Sequence, residues 1–230
     1  MQTELLQKIK PSISSFVNWL DDYGDISYDR MDYWSSNLGI FTKKVFYRNK
    51  LIGAPLAIWG LLLENFIPSL QKKYSKKHRE VIGDAHYAMA FLNLYQVEKD
   101  VIFLQKAEKY LEAMSEYSVE GYSGLAWGYN FGWQTRDHYW ESGIPLITIT
   151  PYAFWAYLQH YNLTQDMASY EKALSISKFA LKDLNKVKMK NGTICSSYSP
   201  ITNDIIINAN SYRAAILLGA YHLNKDEKYL

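Results

Sequence analysis

Apolar positions along this chain recur with the period of the α-helix, in segments that come in pairs. Phe103, Leu104, Ala107, Tyr110, Leu111 and Met114 share one helical face, with Lys106, Glu108, Lys109 and Glu112 outside it. Tyr170, Ala173, Leu174, Ser177, Leu181 and Leu184 repeat that face further on. Each amphipathic stretch follows a segment of a different kind, rich in alanine and apolar nearly all round, which a folded protein buries. Three such segments keep a common register. Tyr95, Tyr161 and Tyr221 are 66 and then 60 positions apart, and the same offsets relate Asp84, Thr150 and Asn210, and again Asp100, Asp166 and Asp226.

Asp84, Thr150 and Asn210 are residue types that cap helix N-termini, and Pro151 suits a first helical position. Each repeat is therefore expected to be a buried inner helix starting at that residue, a short polar turn between the Tyr and the Asp, a half-exposed outer helix, and a long return. This predicts an all-α fold, an α/α toroid of helical hairpins; a repeat of 60–66 residues is longer than the usual α-solenoid unit. An earlier pair is expected from Leu5–Leu20 and Ala54–Leu70, the first interrupted at Pro11. Leu230 holds the place of Leu104 and Tyr170, near the start of an outer helix. The expectation is one domain over 1–230, truncated at its C-terminus, forming a partial or open arc of an (α/α)6 barrel.

Composition narrows the classes. With 48% apolar and 21% charged residues the chain has the make-up of a soluble globular domain, and a net charge of +2 gives no footing for a nucleic-acid partner. Lys72 to Arg79 reads as a solvated basic loop. Cys195 is the single cysteine, which excludes an internal disulfide and a multi-cysteine metal site. The N-terminus lacks a signal peptide's apolar centre, and the longest apolar run, Leu51–Leu63, is shorter than the roughly 20 residues that cross a bilayer. A cytoplasmic location without a membrane span is expected. Asn162-Leu-Thr164 and Asn191-Gly-Thr193 match glycosylation acceptors, which mean little without secretion.

The unusual residues lie in the returns. Trp127 to Glu141 carries rings at Trp127, Tyr129, Trp133, Tyr139 and Trp140 among Gln134, Arg136, Asp137, His138 and Glu141; the next return carries Tyr198, Asn208 and Asn210. Parallel inner helices bring these returns to one end of the barrel, where helix N-termini add partial positive charge. Rings beside amides and carboxylates suit sugars, whose C–H faces stack while their hydroxyls pair with polar groups. The competing reading has half of these rings plugging the space between helix ends, with Arg136 and Asp137 as a loop ion pair.

Four motifs carry a resemblance: Asp84-Ala-His-Tyr-Ala-Met-Ala-Phe91, Trp127-Gly-Tyr-Asn-Phe-Gly-Trp-Gln134, Ser197-Tyr-Ser-Pro200 and Asn208-Ala-Asn210. From about Asp29 onward the chain resembles a group of α/α-toroid proteins associated with bacterial and archaeal polysaccharide biosynthesis, without a firmly assigned activity. Wider relatives include six-hairpin glycosidases, sugar epimerases, polysaccharide lyases and terpenoid cyclases. The resemblance implies the fold more strongly than the chemistry. An acidic residue often stands between the Phe and Trp of the aromatic motif in that group; here it is Gly132, which counts against a hydrolase unless Asp137 or Glu141 substitutes.

Two function classes follow. A carbohydrate-active enzyme that hydrolyses glycosides needs two carboxylates roughly 5–10 Å apart, from Asp84, Asp137, Glu141 and Asp204. An epimerase or lyase instead needs a base, His86, His138 or Tyr198, with Arg136 against a uronate. The alternative is a non-catalytic glycan-binding or assembly module beside glycosyltransferases. Candidate catalytic residues are Asp137, Glu141, His86 and Arg136; candidate substrate contacts are Trp127, Tyr129, Trp133, Gln134, Trp140, Tyr198, Asn208 and Asn210. No metal or cofactor is expected. A remote reading as a terpenoid cyclase rests on Asp21-Asp-Tyr-Gly-Asp25, which matches an aspartate-rich Mg²⁺ motif. Its counterpart at Asn203-Asp204 has Ile207 where a hydroxyl ligand belongs.

Overall fold

The computed structural model describes residues 2–28 and 32–230, which form two compact units, 1–79 and 80–230. In the first unit, α1 (Gln2–Tyr23) runs through Pro11 without ending there, so the expected interruption is absent. The short α2 (Asp32–Ser35) leads to α3 (Asn37–Arg48), capped by Ser36 Oγ on Gly39 N–H at 3.1 Å. Asn49 alone joins α3 to α4 (Lys50–Phe66), and its Oδ1 accepts from Leu51 N–H and Ile52 N–H at 3.0 and 3.3 Å. This one-residue joint folds α4 back onto α3, so α4 pairs with α3 rather than with Leu5–Leu20 as expected.

Glycines permit that pairing. A Cβ at Gly53 would strike the Phe46 backbone, and one at Gly60 would strike the Tyr33 ring. A 3₁₀ turn (Pro68–Leu70) and α5 (Gln71–Tyr74) follow. The basic stretch beyond is tied down in part: Lys77 Nζ sits 3.9 Å over the Tyr23 ring, and Arg79 pairs with Asp25 at 3.5 Å. Asp25, the last aspartate of the candidate Mg²⁺ motif, is thus engaged with an arginine. Among the described residues no single helix is long and apolar enough to cross a membrane.

The second unit contains the repeats. Inner helices α6 (Val81–Glu98), α8 (Thr150–Thr164) and α10 (Ile207–Asn224) alternate with outer helices α7 (Val101–Glu116) and α9 (Met167–Lys182). Each inner helix ends identically. Lys99, Gln165 and Lys225 adopt left-handed φ of 59°, 60° and 59°, and their N–H groups donate to Tyr95 O, Tyr161 O and Tyr221 O. The following aspartates cap the next element: Asp100 on Ile102 N–H, Asp166 on Ala168 and Ser169 N–H, and Asp226 on Lys228 N–H. The 66- and 60-residue offsets of the sequence are therefore the periods of a real joint.

Helix α8 packs between α6 and α10, and alanines at 85, 88, 153, 156 and 220, all fully buried, let these backbones approach. Gly219 lies against the Phe154 ring. Phe154, Tyr157, Ile176, Phe179 and Met114 fill the space between the inner and outer layers. This is an arc of α/α-toroid hairpins.

The helix starts differ from expectation. Residues Glu80, Ile149 and Ile206 occupy the N-cap positions, none with a side-chain cap bond. Apolar Val81, Ile82 and Ile207 extend α6 and α10 by most of a turn, so Asp84 and Asn210 fall inside the helix, and Thr150 is the first residue of α8. All three polar side chains hold neighbouring chain instead. Asp84 Oδ2 accepts from Tyr117 Oη at 2.8 Å, Thr150 Oγ1 donates to Leu146 O at 3.0 Å, and Asn210 grips Ser196. The register is as read; the role is not capping.

Candidate functional site

The returns, 117–149 and 183–206, carry short antiparallel strands that give no readable periodicity. In the first, β1 (Trp133–Gln134) pairs with β2 (Tyr139–Trp140), Trp133 opposite Trp140. In the second, β3 (Lys186–Lys188) pairs with β4 (Ile194–Ser196). The base of the first return is pinned by Leu146 N–H to Trp127 O at 3.0 Å and Gly143 N–H to Tyr129 O at 2.7 Å. Gly128 is required there, because a Cβ would strike Ile144 O.

The aromatic residues of this return divide into two sets. Trp127 is fully buried, and its Nε1–H donates to Met114 O at 2.8 Å, so this ring is enclosed by protein. Trp140 is 4% exposed, stacked on Trp133 at 5.7 Å and 12° and meeting Tyr198 edge-on at 5.4 Å. Half-buried Trp133 meets Tyr129 edge-on at 6.3 Å, and Tyr129 stacks on Phe131 at 5.0 Å. The ladder ends in Tyr198, whose Oη accepts from Thr148 Oγ1 at 3.3 Å. Burial pushes the Tyr198 hydroxyl above the usual tyrosine range, with the Thr148 bond opposing. Trp133, Tyr129 and exposed Tyr139 thus offer surface to a ligand, while Trp127 and Trp140 serve as packing.

Several polar candidates make local structure. The Gln134 amide donates to Thr135 O at 2.6 Å and His138 O at 3.1 Å, closing the hairpin turn. Asn210 Oδ1 accepts from Ser196 N–H at 2.8 Å and its Nδ2 donates to Ser196 O at 3.2 Å, which consumes the amide in holding the second return to α10. Arg136, Asp137 and Glu141 are exposed on the first hairpin, and Asn208 is exposed in the first turn of α10. His138 Nε2 faces Asp204 Oδ2 at 3.4 Å, so the two returns meet. Tyr139 Oη takes the space that a side chain at Gly132 would need. Asp84, 2% exposed beneath Tyr117, is sequestered from ligand.

A second group lies on the inner helices, and the sequence reading found only one of its members. His86 on α6 packs against Tyr152 on α8 at 5.1 Å, and Tyr152 Oη lies 3.3 Å from Tyr212 Oη on α10. Trp155 closes the group, 5.6 Å from Tyr152 and 6.1 Å from Tyr212. The bond to Tyr212, then burial, hold the Tyr152 hydroxyl above its usual range. Along the same face Gln159 Nε2 donates to Asn93 Oδ1 at 2.7 Å. A signal existed: His86, Tyr152 and Tyr212 are spaced by the repeat offsets, as are Asn93 and Gln159. His86 Nδ1 sits 2.7 Å from Ile82 O, which only accepts, so Nδ1 carries the proton and Nε2 remains an acceptor in the neutral ring.

A separate recess of about 230 Å³ in the first unit is lined by Trp34, Thr42, Lys43, Phe46, Tyr47 and Ala57. Burial lowers the Lys43 pKa, with Glu64 opposing.

No family model and no curated protein matches the sequence. Solved structures similar in helical course include a family 76 glycoside hydrolase (mannosidase) from Bacteroides thetaiotaomicron, 13% identical over 90% of this chain and 57% of that one, TM-score 0.47. Another, from a bovine strain of the same species, is 12% identical over 84% and 43%, TM-score 0.46. An inactive α-1,6-mannanase of a Salegentibacter species, solved with α-1,6-mannotriose, is 13% identical over 86% and 56%, TM-score 0.44. The chain spans about half the length of these structures, and the likeness is one of helical architecture alone.

Proposed function

We propose that the second unit binds a glycan, an oligosaccharide or a polysaccharide segment, along the inner-helix face that opens at the end where these helices begin, in polysaccharide biosynthesis or modification. The observation that carries this is the row His86, Tyr152, Trp155 and Tyr212 beside the Gln159–Asn93 amide pair. Partly exposed rings give faces for sugar C–H groups, and phenol and amide groups give partners for hydroxyls. Trp133, Tyr129 and Tyr139 extend the surface along the first return. If the unit is catalytic, His86 on the inner row is the candidate base, and Arg136, Asp137 and Glu141, exposed on the hairpin, are further candidate polar groups. A purely binding or assembly role beside glycosyltransferases is the second reading, favoured by the sequestering of Asp84 and by Tyr139 filling the space at Gly132.

Calorimetric titration with a panel of neutral and uronate oligosaccharides, α-1,6-mannotriose among them, tests this. Trp155→Ala and Tyr152→Ala should each weaken binding at least about tenfold, about 1.4 kcal/mol, as truncating a buried aromatic contact at a binding surface does. Affinity unchanged from the parent protein in both variants, or no binding across the panel, would sink the reading. Product analysis with His86→Ala separates an enzyme from a binding module.

A further inference from the structure

Helix α4 presents an apolar surface of unusual extent for one folded unit in water. Gly53 and Gly60 form the stripe that rests on its neighbours, Ala57 between them lines the recess, and the single acid, Glu64, accepts from Trp34 Nε1–H at 2.8 Å. On the opposite side Leu51, Ile58, Leu62 and Phe66 follow helical spacing, with Trp59 beside them. Leu51 is 89% exposed, Phe66 77% and Trp59 60%. No charged side chain interrupts that outward face. Exposed apolar surface on this scale marks an interaction site.

Charge says what kind. Across 43–79, Lys and Arg outnumber acidic residues nine to one, in a chain whose net charge is only +2. The exposed cations lie at both ends of α4: Arg48 just before it and Lys50 at its first residue, Lys72, Lys73 and Lys76 after it. A second copy docking by twofold symmetry would bring basic ends against basic ends, which repel. A partner must be apolar within and anionic at its surface.

We propose that the α4 face docks onto an anionic lipid bilayer, lying in the interface rather than crossing it. Leu51, Ile58, Trp59, Leu62 and Phe66 enter the headgroup–acyl boundary, while the flanking cations meet lipid phosphates. This proposal is independent of the glycan reading of the second unit.

Flotation of the full chain with vesicles tests it, comparing pure phosphatidylcholine with a phosphatidylcholine–phosphatidylglycerol mixture. The expected result is binding to the anionic vesicles at least about tenfold tighter than to the neutral ones. The exposed double variant Trp59→Ser/Phe66→Ser should bind at least about tenfold more weakly with unchanged helicity, and Lys72→Ser/Lys73→Ser/Lys76→Ser should lose the preference for anionic lipid. Absence of flotation on the anionic vesicles overturns the proposal. So does binding that the Trp59→Ser/Phe66→Ser variant leaves intact, which would be electrostatic adsorption alone. Light scattering that shows a dimer broken by that variant, without flotation, would assign the face to a second copy instead.

Discussion

Helices α4 and α8 are both apolar nearly all round, yet they meet opposite fates. In α8, Ala153, Phe154, Ala156 and Tyr157 are fully buried, because α6 and α10 flank the helix while α7 and α9 cover it. Helix α4 has α3 along one glycine-lined stripe and short segments besides, so most of its circumference faces outward. An apolar helix is thus buried by the number of its neighbours, and its composition states only the demand. Helix α10, with α8 as its inner neighbour, is intermediate: Ile216 is fully buried while Ile207 and Leu218 remain exposed.

The sharpest way to break this comparison is to remove one tryptophan from the enclosed interior of the second unit and one from the open face of α4. Trp127→Ala, in the enclosed layer, should destabilise the second unit by about 3–5 kcal/mol, since it leaves a cavity and an unpaired Met114 carbonyl. Trp59→Ala should move stability by no more than about 0.5 kcal/mol. Urea unfolding of the two variants measures both, and comparable losses would show α4 to be covered in solution.

A second effect belongs to α8 alone. Tyr157 is pushed up to about 12 by burial, with the Ser115 bond opposing, and its Oη donates to Leu111 O at 2.7 Å. The folded state therefore keeps this proton where an unfolded tyrosine, near pH 10, gives it up. The stability from the neutral phenol is complete below about pH 10 and declines toward pH 12, by about 2–3 kcal/mol in all. Denaturant titrations from pH 8 to 11.5 should show that decline, and Tyr157→Phe should flatten it.

The smallest expected effect concerns the joint. Lys99 holds a left-handed conformation that suits glycine, so Lys99→Gly should raise stability by about 0.5–1 kcal/mol in the same assay, and Lys99→Val should lower it. A neutral result for both would mean that the hairpin turn carries no strain worth relieving.

The legible parts of the fold were those set locally. The joint at Tyr95, Tyr161 and Tyr221 could be read because a left-handed residue followed by a capping aspartate is decided within a few positions. The starts of α6 and α10 were misplaced because Asp84 and Asn210 have the chemistry of caps, while their actual partners, Tyr117 and Ser196, come from distant chain. The candidate site was legible in its chain positions and not in its packing. Which rings of the first return would be packing depended on Met114 O taking the Trp127 N–H and on Trp133 and Tyr198 enclosing Trp140, facts of tertiary structure without a local trace. The inner row needed only the repeat offsets carried forward from His86, since periodicity places side chains where propensity cannot. Two-residue strands such as β1 and β2 are too short to leave any alternation to read.

The three joints and the two returns sit at opposite ends of the arc, and they differ in how freely they vary. Every joint has the same backbone shape and the same aspartate, whereas one return folds around paired tryptophans and the other around buried serines. Such a division lets one end act as a template that keeps successive hairpins congruent. The other end can lengthen, shorten or change its chemistry without altering how the next helix is laid down, so new recognition can evolve there while the architecture is inherited unchanged.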